Sequence, residues 1–250
     1  MFTHPAISFL CTFVLLYASA QVGSWLRKRR SLDDDQRQDL NVEQAATLTL
    51  LGLIIGFSFS MAVSRYDLRK AREAEEANAI GTEYVRVGMM PDSDSRALRP
   101  QLKRYTDLRI RFYQTRDDRE LQQVNDETAQ LQSQMWLAVQ ARAQAQQTPV
   151  IALAVAGMND VLNSQAYTQA AWWNRIPTAA WIFMVAIAVC SNVLIGYGAK
   201  SLHAGNLLFA LPVVISISFL LIADIDSPRR GLIHVAPQNL ISLSESLHGQ

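Results

Sequence analysis

Cysteine is scarce in this chain. Its 250 residues include two, Cys11 and Cys190, each inside an apolar run. Neither has the spacing or neighbours of a metal site or a disulfide, so both are expected to be buried small hydrophobes. Net charge is also missing, because 23 Lys and Arg balance 22 Asp and Glu to a formal +1. So even a balance leaves no basic footprint for nucleic acid, which is excluded as a partner. Between Val63 and Thr178, the mostly polar part of the chain, there is no β-branched run and no strand signal. Nothing resembles a nucleotide-binding loop, a nucleophile elbow or a zinc-binding pair. No cofactor or metal is therefore expected.

What the sequence does have is apolar residues, half of the total, gathered in four blocks: Ile7 to Leu26, Ala45 to Val63, Thr178 to Ala199 and Leu207 to Ala223. Each is about long enough to cross a bilayer core as a helix. None contains a charged residue. An intramembrane enzyme would need paired ionisable groups at that depth, so no catalytic residue is assigned and no enzyme is expected. The reading is an all-α integral membrane protein with four transmembrane helices, whose first partner is the lipid bilayer.

The first block is followed at once by Arg27, Lys28, Arg29 and Arg30. Ala18-Ser19-Ala20 imitates a signal-peptidase site, but Met1 to Pro5 carries no positive side chain. The basic cluster also lies on the wrong side of the apolar run, so a retained first helix is expected. Ser31 to Gln44 reads as a solvated connector. Its Asp33, Asp34, Asp35 and Asp39 lack the ligand spacing and Gly turn of a calcium loop. The second helix is expected to begin near Asn41 to Glu43, with Asn41 as its cap. Further along, Trp172, Trp173 and Trp181 are expected as an interfacial belt before the third block. Lys200 to Gly205 reads as a tight turn, and Pro212 as a kink in the fourth helix.

The second block organises the chain. From Ala45 to Val63 it is uncharged, and from Arg65 to Tyr84 it turns to alternating Arg, Lys, Glu and Asp with no Pro. This pattern predicts one helix that leaves the membrane and continues into solution. Gly52, Gly56, Ser60 and Ser64 recur every four residues and form a stripe of small residues that lets helices approach closely in lipid. An adjacent apolar stripe runs through Leu51, Ile55, Phe59 and Val63. A pore-lining helix and a helix packed in a poreless hairpin both need these two stripes.

Between Val63 and Thr178 the chain is mostly polar. Leu98, Leu102, Tyr105, Leu108 and Phe112 follow a helical rhythm, as do Leu121, Val124, Leu131, Met135 and Val139. Ile151, Val155, Met158 and Leu162 resume it after Pro149, and Pro91 marks the other break. Helices packed on one another are expected here. After the fourth block, Asp224, Asp226, Pro228, Arg229, Arg230 and Gly231 suggest either a carboxylate site or a structural corner that stops the helix. Lys and Arg near the membrane ends are almost evenly divided, so charge alone leaves orientation open.

Three segments carry a family resemblance: Gly52-Leu53-Ile54-Ile55-Gly56-Phe57-Ser58-Phe59-Ser60, Glu76-Ala77-Asn78-Ala79-Ile80-Gly81-Thr82, and Asp226-Ser227-Pro228-Arg229-Arg230-Gly231-Leu232-Ile233. With the four blocks in order, the chain resembles the bacterial bestrophin-like membrane proteins over nearly its whole length. It is similar, more distantly, to the bestrophins, which are pentameric anion-permeable channels. Gly56, Phe57, Ser60, Ala62, Arg65 and Tyr66 fall in register with their second-helix run. The segment Asp226 to Gly231 resembles their acidic-Pro-Phe-Gly corner. Ser58 and Phe59 stand where that run has Arg and Asn, and Arg229-Arg230 where the corner has Phe.

The resemblance implies a four-helix fold with a helical cytoplasmic extension and both termini cytoplasmic, in the bacterial inner membrane. It divides the chain into a first transmembrane hairpin (1–63), a cytoplasmic region (64–177), a second hairpin (178–223) and a C-terminal segment (224–250). It implies a homo-oligomer, a pentamer in the bestrophins, that passes small inorganic ions through a pore lined by the second helix. The neck would come from Ile55, Phe59 and Val63, or from Phe57 and Met61, and would gate by dewetting. Arg65, Arg69 and Arg72 would attract anions, unless they pair along the helix with Glu73, Glu75 and Glu76. The competing reading is a non-conducting, membrane-anchored helical module that binds a partner.

Overall fold

The structure, a computed structural model, describes residues 5–29, 33–199 and 205–249. Among them are eight helices and no strand. These are α1 (Pro5–Lys28), α2 (Asp34–Val87), α3 (Asp92–Gln114), α4 (Asp118–Ala145), α5 (Pro149–Trp173), α6 (Thr178–Gly198), α7 (Gly205–Asp226) and α8 (Gln238–His248). Four apolar stretches, within α1, within α2, in the segment that includes α6, and within α7, are long and apolar enough to cross a membrane. The fold is thus that of an all-helical membrane protein, as its hydropathy predicts.

The chain forms two units. The first comprises residues 1–64 and 175–233. Its core brings together Leu16 of α1, Leu51 of α2, Met184 and Ala188 of α6, and Ile215 and Phe219 of α7. Trp181 meets the Phe219 ring edge-on at 6.2 Å. Outward positions stay apolar: Val14, Leu53, Ile182, Phe183 and Val214 are all exposed on the chain, as helices surrounded by lipid tails require. Cys11 and Cys190, expected to be buried, belong to this exposed class. In a membrane helix an apolar side chain has no need of the core, so hydrophobicity does not predict burial there.

The second unit comprises residues 65–174 and 234–250. One core draws Ile80 and Tyr84 from α2, Leu98, Leu102, Tyr105 and Phe112 from α3, and Val124, Met135 and Val139 from α4. Met158 and Val161 of α5 join it, with Leu240 and Leu247 of α8. On α3 and α4 these are the stripes that the three-to-four rhythm picks out, whereas on α5 Val161 is buried and the expected Leu162 is only half-buried. Helix ends follow local chemistry. The Asp117 carboxylate accepts from the amides of Arg119 and Glu120 at 2.9 Å each, and the Thr148 hydroxyl accepts from the Ile151 amide ahead of Pro149.

Two local expectations are overturned. α2 starts at Asp34, not near Asn41. Arg37 donates to the Asp33 carbonyl and the Asp33 amide to Gln36 Oε1 at 3.3 Å, which is capping-box geometry on an Asp-x-x-Gln segment. Asn41 is therefore an interior residue, and most of the expected loop is helix. Trp172 is the second correction, for it is not interfacial. Its ring packs 5.1 Å from Phe112 and 5.3 Å from Tyr113 in the core of the second unit, while Trp173 stands exposed. The expected turn at 200–205 and the basic residue Arg30 lie largely or wholly outside the described residues.

Candidate functional site

On α2 the segment Gly52 to Ser64 shows a face that the chain's own helices leave uncovered. Gly52, Gly56, Ser60 and Ser64 are exposed, and a methyl group added at Gly52 or Gly56 would meet nothing within 4 Å. The small-residue stripe therefore makes no close approach inside this chain. Ser64 turns its hydroxyl to its own helix, donating to the Ser60 carbonyl at 3.0 Å. Phe57 is 64% exposed, and Phe59 and Met61 are 38% exposed each. Ile55 and Val63 are half-buried, and Ile55 leans on the core of the first unit. The two candidate neck sets thus differ: Phe57 and Met61 stand free, whereas Ile55 and Val63 flank Phe59 at the edge of the packed face.

The three arginines below this segment also separate. Arg65 is half-buried. Arg69 is 1% exposed, and its guanidinium donates to the carbonyls of Ala171 and Asn174 at 3.4 and 3.5 Å. It closes the C-terminal end of α5, where carbonyls and helix dipole favour a cation. Arg69 is thus buried, unlike Arg65 and Arg72. Arg72 pairs with Glu75 three residues on and lies 5.1 Å from the centre of the Tyr167 ring. Pairing along the helix thus holds for Arg72, while Glu73 and Glu76 have other partners.

At the end of α7 both acidic residues accept main-chain hydrogen bonds. Both oxygens of Asp224 accept main-chain bonds, from Leu232 at 2.7 Å and Ile233 at 2.9 Å. Asp226 accepts from the Ile176 amide at 3.2 and 3.1 Å, tying the end of α7 to the approach of α6. Between Asp226 and Gly231, Ser227 and Pro228 begin the turn that carries Arg229 and Arg230. Gly231 has no freedom to change, since a Cβ there would lie 2.3 Å from the Asp224 carbonyl oxygen. Of the two readings offered by this segment, the corner is the one its hydrogen bonds build. Among the described residues no group of three or more His, Cys, Asp or Glu could hold a metal ion.

A Bestrophin-like domain model matches residues 14–240. The chain belongs to the bestrophin-like family. Its structure is similar to that of a single-substitution variant of a bacterial bestrophin homologue from Klebsiella pneumoniae, with a TM-score of 0.64 at 13% identity, covering 98% of this chain and 99% of that one. A second variant of that homologue matches at a TM-score of 0.64 and 13% identity, covering 98% and 97%. A crystal structure described as a membrane protein variant matches at 0.62 and 14%, also covering 98% and 97%. At these identities the likeness concerns the fold. The search of curated proteins found no match.

Sequence reasoning missed the polar interior of this bestrophin-like chain. Glu76, from the Glu-Ala-Asn-Ala-Ile-Gly segment, pairs with Arg109 Nε, both side chains being fully buried. It also accepts from the Thr168 hydroxyl at 3.0 Å. Burial is the largest effect and opposes the Arg109 charge, but Glu76 together with Tyr105 and Tyr113 outweighs it and raises the pKa of the guanidinium. Glu73 accepts from the Leu240 amide at 2.9 Å and from Asn239 Nδ2 at 2.6 Å, so it caps α8. Glu83 is fully buried as well, and neither of its oxygens has a hydrogen-bond partner.

The close helix contacts were missed for a different reason. A Cβ at Gly23 would lie 2.0 Å from the Val193 carbonyl oxygen, and one at Gly196 would lie 1.9 Å from that of Ala20. The tight seam therefore joins α1 to α6, with Gly23 against Val193 and Gly196 against Ala20. Small residues were read as a packing signal only in α2, and these two lone glycines repeat no such stripe.

Proposed function

We propose that this bestrophin-like chain is one subunit of a homo-oligomeric ion channel of the bacterial inner membrane. Small anions would pass through a central pore lined by the apolar part of α2. Five copies would surround the axis, with both termini and the polar helical regions, residues 64–177 and 224–250, in the cytoplasm. The observation that carries this reading is the uncovered face of α2. Phe57, Phe59 and Met61 are exposed there beside Gly52 and Gly56, at which an added methyl group would meet nothing within 4 Å, so this face is free to meet the same face of other copies. Rings of such side chains, one from each copy, make an apolar constriction that admits ions only when it wets.

Three further features fit the scheme. The exposed Gly52 and Gly56 permit close approach of another copy's helix. Arg65 and Arg72, together with the inward charge of Arg69, contribute a positive field beyond the neck. The Asp224 and Asp226 corner fixes the end of α7, so its role here is mechanical. The polar unit then acts as a rigid vestibule, not as a catalytic domain.

Flux into liposomes and single-channel recording of the purified protein test this, with Phe59→Ala, Phe57→Ala and Ile55→Ala beside the wild type. An anion current enlarged by one of these substitutions is the expected result and identifies the neck set. Absence of flux from every form, in a sample shown to be folded and oligomeric, overturns the channel and leaves the non-conducting interaction module. A cation current would keep the architecture and move selectivity to the acidic residues below the neck.

A further inference from the structure

Glu83 stands apart from the other buried acids of the second unit. Glu73 and Glu76 each meet two partners. Glu83 is 0% exposed, and both of its oxygens lie buried without a hydrogen-bond partner. A carboxylate left in that state carries a large desolvation cost, whereas the neutral acid carries far less. The space it occupies is provided by a glycine on the facing helix: a Cβ at Gly157 of α5 would fall 1.8 Å from Glu83 Oε2. The same Cβ position would lie 2.6 Å from Arg86 Nη1, so the seam between α2 and α5 holds the carboxyl group near a guanidinium nitrogen, with no hydrogen bond made to either Glu83 oxygen.

Among the described residues, the charges acting on Glu83 come from two elements. Arg86 on its own helix favours the ionised form, and Asp160 on α5 opposes it. These two are also 3.8 Å from each other, so each weakens the other's effect on the buried acid. The cations of the neighbouring helices are engaged elsewhere. Arg99 of α3 lies 4.7 Å from the centre of the Tyr84 ring, and Arg142 of α4 pairs with Asp94 at 3.0 Å. Burial dominates, and it pushes the Glu83 carboxyl up to about 8.

We propose that Glu83 is a proton-binding site of the second unit: its carboxyl rests as the neutral acid against Gly157, and losing that proton loosens the seam between α2 and α5. The step is a simple ionisation. The O–H bond breaks, water takes the proton, and the carboxylate left behind draws solvent or a cation toward the seam. Arg86, whose Nη1 already stands at the Gly157 position and 3.8 Å from Asp160, is the nearest cation and would turn to bond the new carboxylate. The site lies on the helix that also carries residues 55–63, but the proposal holds whether or not the protein conducts.

Hydrogen exchange of the intact protein in detergent or nanodiscs, followed by mass spectrometry from pH 5 to 9, tests it. After correction for intrinsic exchange, protection of peptides around 80–87 and 154–161 is expected to fall by up to about tenfold per pH unit and to level off above pH 8. In Glu83→Gln, a neutral side chain of the same size, the same peptides should show no such slope. Equal slopes in both proteins, or a flat wild-type profile, would overturn the proposal. Should the variant not fold, infrared spectra of the wild type decide alone. A protonated carboxyl band that titrates away near pH 8 supports the site, and absence of any such band at pH 6 defeats it.

Discussion

Glu76 and Arg109 form an ion pair with no solvent contact on either side chain. They bridge α2 and α3 at the centre of the second unit. The same carboxylate takes a hydrogen bond from Thr168, so α5 joins the network. The guanidinium lies 4.3 Å from the centre of the Phe112 ring. A pair so placed is costly to break and cheaper to replace as a whole.

Arg109→Leu alone should therefore lower stability by about 3–5 kcal/mol, because it strands a buried carboxylate. Adding Glu76→Gln to it should recover part of that loss. Thermal unfolding of the two single variants and the double variant checks this. If the two losses simply add, the pair is not coupled in the way described.

Gly196→Ala should separate from Gly56→Ala. The first drives a methyl group into the Ala20 carbonyl at the seam of α1 and α6, at a cost of about 1–3 kcal/mol. The second meets nothing in its own chain and should leave the fold's melting temperature unchanged while altering self-association. Melting curves with native mass spectrometry distinguish the two effects. Loss of stability in the Gly56 variant at the monomer level would contradict the exposure seen here.

Removal of Glu73 should release α8. In Glu73→Ala, Leu240 and Asn239 lose their acceptor, and the secondary tie from Ser244 to Asp107 at 2.9 Å is exposed. Limited proteolysis should cut within 234–248 well before the wild type is cut there. An unchanged cleavage rate would show that Leu240 and Leu247 hold the helix without help.

The corner after α7 should tolerate little. Asp224→Ala removes the acceptor of two main-chain amides and should cost about 1.5–3 kcal/mol. Gly231→Ala should produce a similar defect through steric conflict with the Asp224 carbonyl. Comparable melting temperatures for both variants, each below the wild type, would identify one shared element.

Stability should also fall as pH rises. An acid whose folded pKa is raised, here by burial to about 8 from 4.5, favours the fold fully below its unfolded pKa. That contribution is lost progressively as pH climbs from about 4.5 to about 8, at no more than about 1.4 kcal/mol per unit. Melting temperatures at pH 5, 6.5 and 8 should drop less in Glu83→Gln than in the wild type. A parallel drop in the two would assign the dependence to other groups.

Particular residues show how far the sequence could be read. The buried stripes Leu98 to Phe112 and Val124 to Val139 were legible, because in water a helix hides its apolar face and periodicity reports that directly. Cys11 and Cys190 misled because lipid accepts an apolar side chain without burial in protein. The partners of Arg69, the carbonyls of Ala171 and Asn174, could not be read, because they lie a hundred residues away and belong to the main chain. Glu76, Glu73 and Glu83 look alike in sequence, spaced along one charged helix. Only packing shows that one is ion-paired, one is a cap and one has no partner.

The second unit is interrupted in the chain, for residues 65–174 and 234–250 are separated by 175–233 of the first. During synthesis, therefore, Glu73 leaves the ribosome long before Leu240 exists to donate to it. Until α6 and α7 have been made, the core lacks Val235, Leu240 and Leu247, and an open groove stands in their place. Synthesis of the later membrane helices thus precedes completion of the polar unit. A nascent chain that stalls before residue 234 would hold an unfinished surface, open to chaperones and proteases, and quality control would have a means of telling complete subunits from truncated ones.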